Sequence, residues 1–547
     1  MTHVSQPVSL ARIDVTFPTA MAIHQDGPAG SIQLSKLPSE TSAIADANDG
    51  SENDNDISKA NVNTQQTPAP PAPSPAPSPA PSPAPSPAPS PTPTATVTAA
   101  TTNYLEENLY DLPLWRKYII LFAVSWMTLV ITFSSTSLLP AAPEIASEFT
   151  TTTTIINITN AGVLVAMGIS SFIWGPISVL LGRKNAYIAA ILVLCGCSVG
   201  TALAPNMRVF TALRILGGFT GTYFMVAGQT ILADIFEPLV RGTAVGFFMV
   251  GTVSGPAVGP CIGGLIVTFA HWRIIYWVQV AMAGVGLVVS IIFLPDFRIE
   301  RKSRTASHPG ALEIISMFNP MKVFRMLLYP NVLLAQVTCG LLAWFQYSIL
   351  TSVRSVFNPR FHLTTALVSG LFYLAPGTGF LVGSIVGGKL SDRTVRRYIQ
   401  KRNGVRMPQD RLNSGLITLL GVLPVSTLIY GWTLQGEVGG MALPIVCAFF
   451  AGAGLMGSFN GLNTYTAEVY PRMKSEVMSG KYIIQYLFGA GSSAAIVPLI
   501  DAIGVGLTFT ISVILVVTGG CLVFIITRWG LDMQRWAEGR FKLEKHS

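Results

Sequence analysis

The sequence predicts an all-α polytopic membrane protein of twelve transmembrane helices arranged as two six-helix bundles. Three observations predict it. Half of the 547 residues are hydrophobic and 11% are charged, at a mean hydropathy of +0.50, whereas a soluble domain carries about a quarter charged residues to cover its surface. From Trp115 onward the chain is a succession of apolar runs of about twenty residues, the length that crosses ~30 Å of hydrocarbon at ~1.5 Å per residue. The Lys and Arg residues sit between these runs, where positive charge sets membrane orientation, and not along one soluble face that would neutralise phosphates. Nucleic acid is therefore not an expected partner; membrane lipid is.

Residues 1–112 form a polar segment with the repeat Ala-Pro-Ser-Pro between Ala72 and Pro91. Such a composition favours extended polyproline II and buries too little surface to offset ordering entropy, so a disordered cytoplasmic tail is expected. No basic-then-apolar leader opens the chain, so the first span is expected to direct insertion. The spans are predicted at 116–138, 158–180, 185–204, 208–232, 242–267 and 273–294, then 330–351, 367–388, 414–435, 442–466, 479–500 and 505–527. This gives an amino-terminal bundle over 113–294, a basic linker over 295–329 carrying Arg298, Arg301, Lys302 and Arg304, a carboxy-terminal bundle over 330–528, and a short tail over 529–547.

An even number of spans places both termini on one side. On that side the segments from Arg116 onward hold 27 basic residues, against four (Arg208, Arg273, Arg354 and Arg360) on the other. Both termini are therefore expected in the cytosol, most simply with the plasma membrane as the host, and an internal membrane such as the vacuole as the alternative. Asn157-Ile158-Thr159 is a glycosylation sequon on the outer side, but it abuts the second span, where poor occupancy is expected.

The six cysteines fall inside apolar runs and read as small hydrophobes, with no disulfide framework and no metal site. No His cluster, nucleophile elbow or phosphate-cradling loop is present, so neither an enzyme nor a nucleotide-driven pump is supported and no cofactor is expected.

The two halves repeat each other locally. Ala233-Asp234-Ile235-Phe236 follows the fourth span and Ala467-Glu468-Val469-Tyr470 the tenth; Gly175-Pro176-Ile177-Ser178 with Gly182-Arg183-Lys184 follows the second, and Gly388-Lys389-Leu390-Ser391-Asp392-Arg393 the eighth. Related halves are how many carriers build alternating access. Gly182, Arg183, Asp234, Asp392, Arg393 and Glu468 are candidates for a cytoplasmic gate of ion pairs, the alternative being solvated charges that merely obey the topology rule.

The fifth span contains Gly251, Gly255, Pro256, Gly259, Pro260, Gly263 and Gly264. Glycines four apart leave a smooth strip for a close neighbour, and the prolines remove backbone donors and bend the helix. Static packing accounts for the glycines, but the two prolines point to a shaped cavity or a seam that rocks.

With these residues in view the chain resembles the major facilitator superfamily over about 113–530, and within it the fungal twelve-span drug:proton antiporters. The fifth-span Gly/Pro pattern resembles the family's antiporter motif. Arg214 with Gly218, Ser137-Leu-Leu-Pro140-Ala-Ala-Pro143-Glu144-Ile145 and Trp272-Arg273 add to the likeness. Departures stand beside it: Val179 and Leu180 occupy the Asp and Arg positions of the family's second-to-third-span loop, and Gly217 stands where the family often has Gln. The resemblance implies a monomeric secondary transporter that exports a small organic molecule, such as a drug-like toxin, a secondary metabolite or a glycolipid, in exchange for protons. The alternatives are an organic-acid or metabolite carrier working by uniport or exchange, and a channel or receptor.

Arg214 reads as the one clear charge in mid-span, a functional position by default because charge is costly in lipid, unless carbonyls hold it structurally. No Asp, Glu or His lies deep in a span, so the titratable groups for coupling are Asp234 and Glu468 at helix ends. Polar and aromatic candidates for the cavity wall are Gln229, Gln336, Gln346, Tyr347, Asn460, Asn463, Gln485 and Tyr486, each of which alternatively makes a plain interhelical hydrogen bond. The mixture suits an amphiphilic or uncharged organic molecule, with Arg214 leaving room for an organic anion.

Overall fold

Each apolar run folds into one helix, because backbone N–H and C=O groups in hydrocarbon have no water to bond and must pair within the segment. A computed structural model describes residues 112–236, 238–295, 319–362, 366–470 and 473–541. The tail over 1–112, all but its last residue, and most of the basic linker lie outside the described residues.

Twelve helices among the described residues are long and apolar enough to span. They are α1 Leu114–Thr136, α2 Thr153–Leu181, α3 Arg183–Ala202, α4 Met207–Leu232, α5 Ala244–Phe269, α6 Arg273–Phe293, α7 Pro330–Arg360, α8 Gly370–Lys401, α9 Asp410–Gln435, α10 Ala442–Glu468, α11 Lys474–Ile503 and α12 Val505–Phe541. A short helix, Ala142–Glu148, follows α1. Starts follow local chemistry: the side chains of Thr152 and Asn206 accept from the backbone N–H groups of Ile155 and Val209, capping α2 and α4. The α2–α3 and α11–α12 connections turn at Gly182 (φ 85°) and Gly504 (φ 84°), a left-handed conformation that costs glycine little.

The predicted spans all appear, but α7, α8 and α12 run on to Arg360, Lys401 and Phe541, well past the predicted ends. Hydropathy marks where a helix leaves hydrocarbon, and nothing in water obliges the helix to stop there.

One buried core lies mainly in the first six spans, around Met127, Leu164, Tyr187 and Phe224. Another lies mainly in the last six, around Phe345, Phe380, Leu423 and Leu455. The lipid-facing sides carry Leu192, Phe247, Ile292, Ile385 and Ile514, each more than half exposed. The halves meet along two seams, α2 on α11 and α5 on α8. In both, small residues let backbones approach: Gly168 lies against Ile483 and Tyr486, and Gly377 against Ala257. The face from which α1 enters is called the basic face below, and the other the far face.

Candidate functional site

At the centre of the seam, residues from both halves converge. Tyr347 of α7, with Tyr482 and Tyr486 of α11, is fully enclosed and packs into the core of the amino-terminal half beside Met167 and Met225. The Tyr486 hydroxyl donates to the Met225 sulfur at 3.7 Å. The Tyr482 hydroxyl lies near Gln229 of α4, and that of Tyr347 near Ser135 of α1. Three predicted wall residues, Gln229, Tyr347 and Tyr486, are thus brought together across the seam. Toward the basic face a cavity of about 390 Å³ opens between α2, α4 and α11, lined by Phe172, Arg183, Tyr223, Thr230, Glu476 and Ser479 among others.

The other predicted wall residues serve different contacts. Asn460 donates to the Ser384 carbonyl at 2.6 Å, tying α10 to α8. Gln336 donates to the Val477 carbonyl at 3.1 Å, tying α7 to α11, and its own amide oxygen has no partner. Gln346 is buried in α7. Gln485 is half-buried, and its amide oxygen is enclosed without a partner. Asn157 is buried in the first turns of α2, so the sequon's side chain faces protein.

Among the described residues two buried cations, Arg214 and Lys481, lie deeper in the spans than Lys117 in the first turn of α1, where the sequence displayed one. Arg214 donates to the Ser134 carbonyl at 3.0 Å and to the Asn160 side-chain oxygen at 3.1 Å, and its guanidinium stands 5.6 Å from the Tyr276 ring centroid. It therefore clamps α4 to α1, α2 and α6 within one half. Lys481 corrects the expectation that Arg214 is alone: it is 1% exposed in α11, donates to the Asn463 side-chain oxygen at 2.6 Å and lies 4.0 Å from the Tyr482 ring centroid. Its count as a loop residue fails because α11 starts at Lys474, more than a turn before the predicted start at 479, which leaves Lys481 well inside the helix. Asn463 and Lys481 thus form a second polar group next to the central tyrosines.

The predicted gate charges pair inside each half. On the basic face Arg183 bonds Asp234, Arg411 bonds Asp392 at 3.1 Å, and Arg406 bonds Glu468 at 2.8 Å. Arg393 is exposed, and Asp392 takes Arg411 in its stead. Asp410, fully buried at the start of α9, is held by Arg402 at 2.7 Å and by the Met407 backbone N–H. Among the described residues the ion pair that crosses between the halves is on the far face: Arg354 of α7 grips Glu144 of the short helix with both terminal guanidinium nitrogens, at 2.8 and 2.6 Å. Next to it, Glu148 accepts from the Trp272 indole and Arg273, fixing the start of α6.

The α5 strip is oriented by contact. A methyl group built on Gly251, Gly255, Gly259 or Gly263 would strike α1 or the turn after it, at Ser125, Thr132, Thr136 and Ser137 respectively. The strip is therefore an intra-half contact with α1, while Ala257 and Gly264 on another side of α5 meet Gly377 and Gly370 across the seam.

This architecture is matched by known proteins. The family model described as Major Facilitator Superfamily fits residues 124–494. The chain belongs to the Major Facilitator Superfamily. Relatives include the uncharacterized transporter mfc1 of Schizosaccharomyces pombe, 24% identical over 416 residues, which cover 70% of this chain and 83% of the relative. Another is the efflux pump radE of Floropilus chiversii, 25% identical over 405 residues, covering 70% and 74%. The fold is that of the xylose transporter XylE from E. coli in a partially occluded inward open conformation, at TM-score 0.58 and 13% identity over 76% of this chain and 98% of that one. As a superfamily member the protein is a multi-pass secondary transporter of small molecules and not an enzyme.

Sequence reasoning missed Lys481, Tyr482, Glu144 as an ion-pair partner, and Asp410. A Lys followed by two tyrosines four apart, with no further charge until Asp501, is the signal that pointed to the first two.

Proposed function

We propose that this superfamily member exports a small organic molecule from the cytosol across the plasma membrane in exchange for protons, with both termini cytosolic. The observation that carries the reading is the asymmetry of the seam. The Glu144–Arg354 pair holds the halves together on the far face, while the cavity between α2, α4 and α11 lies at the basic face. With the basic face in the cytosol, as positive charge favours, this is the arrangement that loads cargo from inside. The bundles 113–294 and 330–528 then rock about the α2–α11 and α5–α8 seams, and cargo is held against Gln229, Tyr347 and Tyr486. The name of radE as an efflux pump supports the direction, and the likeness of α5 to the antiporter motif supports exchange.

Arg214 acts in this scheme as the clamp of the amino-terminal half, because its two terminal nitrogens already hold protein acceptors. Deleting the gene in its host and profiling metabolites inside and outside the cell tests the direction. Export predicts that one or a few compounds accumulate inside and fall outside; the opposite redistribution, a compound that falls inside and persists in the medium, would make the protein an importer.

A further inference from the structure

We infer that Lys481, with Asn463 and Tyr482, forms an anion subsite at the seam that takes the carboxylate, or a comparably acidic group, of an organic-acid cargo. The inference rests on the carrier reading above and narrows its substrate class.

An ammonium has three N–H donors. The Asn463 oxygen takes one at 2.6 Å, the Tyr482 ring face lies 4.0 Å away, and no carboxylate stands within ion-pair distance of Lys481 among the described residues. A buried charge so poorly compensated is costly in a membrane interior. Arg214 is bound differently: its two terminal guanidinium nitrogens reach the Ser134 carbonyl and Asn160 inside one half. Lys481 also has the right address. Its neighbour Tyr482 reaches Gln229 of the opposite half, so the ammonium sits beside the surface that separates when the halves rock. A cationic cargo would be repelled here, and a neutral one would leave the charge uncompensated. An organic anion supplies the missing acceptors, and its apolar body can lie against Tyr482, Tyr486 and Tyr347.

The test uses the purified full-length protein in lipid nanodiscs and probes paired by charge: benzoate with benzamide, and salicylate with salicylamide. Binding is read by titration at pH 7. The parent is expected to prefer each acid over its amide by about tenfold or more, the scale of a charge-assisted hydrogen bond. Lys481→Gln should lose that preference and Lys481→Arg should keep part of it. Asn463→Asp retains the lysine and places a competing carboxylate beside it, so it should reduce acid binding by about the same factor even where Lys481→Gln folds poorly. A parent without acid preference up to millimolar probe, or an undiminished preference in Lys481→Gln or Asn463→Asp, overturns the subsite. The export reading fails separately: acid preference intact in nanodiscs with no transport in vesicles would refute the function and leave the subsite standing.

Discussion

Breaking the far-face ion pair should shift the carrier toward its far-side-open state. The perturbation is Glu144→Gln, which keeps the side-chain shape and removes the charge. In the intact pair both guanidinium nitrogens reach the carboxylate, and Arg354 is 15% and Glu144 34% exposed. Exposed pairs contribute about 0–1 kcal/mol; bidentate geometry and the enclosure of Arg354 raise this one to about 1–2 kcal/mol. Because only the closed far face contains the contact, its loss moves the closed-to-open equilibrium by roughly five- to thirtyfold. Ser147 in the short helix and Ser355 in α7 are exposed and lie on opposite halves. Spin labels there, in a background with the six native cysteines replaced, report the separation by pulsed electron resonance. The longer-distance population should grow in Glu144→Gln and in Arg354→Gln, and shrink again in the double reversal Glu144→Arg/Arg354→Glu. Unchanged distance distributions in both single variants would refute the latch.

Four further outcomes follow from packing and charge. Gly255→Leu drives a side chain into Thr132 and the backbone of Phe133 within one half, an overpacking of at least ~1–3 kcal/mol, so membrane abundance and transport should fall in parallel; normal abundance without transport would return the strip to a gating role. Gly377→Leu instead meets the Ala257 backbone across the seam, so transport should fall before abundance does, and parallel loss would count against a moving seam there. Arg214→Ala strands the Ser134 carbonyl and Asn160 and should lower thermal stability of the purified protein, with Arg214→Lys intermediate because it lacks the planar fork; an Ala variant as stable as the parent but unable to transport would make Arg214 a binding residue. An impermeant thiol reagent added to intact cells should leave Lys401→Cys unlabelled, and efficient labelling would invert the topology.

The fold was legible because its governing constraint is one-dimensional: a span must be apolar for about twenty residues, and each of the twelve runs is. What hydropathy cannot see is helix continuing in water, which is why α8 reaches Lys401 unannounced and why α11 begins at Lys474. Lys481 sits two residues inside the predicted edge of its span and was counted with the neighbouring loop cations, although three-dimensional packing encloses it. Arg214 was visible as a charge in mid-run, but its role depends on which acceptors α1 and α2 bring to it, and those are set by tertiary contacts 80 and 54 residues away in sequence. Glu144 and Arg354 are 210 residues apart, so their pairing is readable only once the halves are assembled. The gate candidates on the basic face show the reverse: their recurrence in both halves was plain, but recurrence reflects two related bundles, each closing its own loop, and carries no information about what bridges them.

Flux into sealed proteoliposomes distinguishes a carrier working by coupled alternating access from every rival. Inside-out oriented vesicles holding the purified protein are incubated with an extract of host metabolites, with and without an imposed proton gradient, and their contents are measured by mass spectrometry. The account predicts saturable accumulation of a small set of compounds above the external concentration, abolished by a protonophore. Flux that only equilibrates and rises linearly with concentration would contradict it.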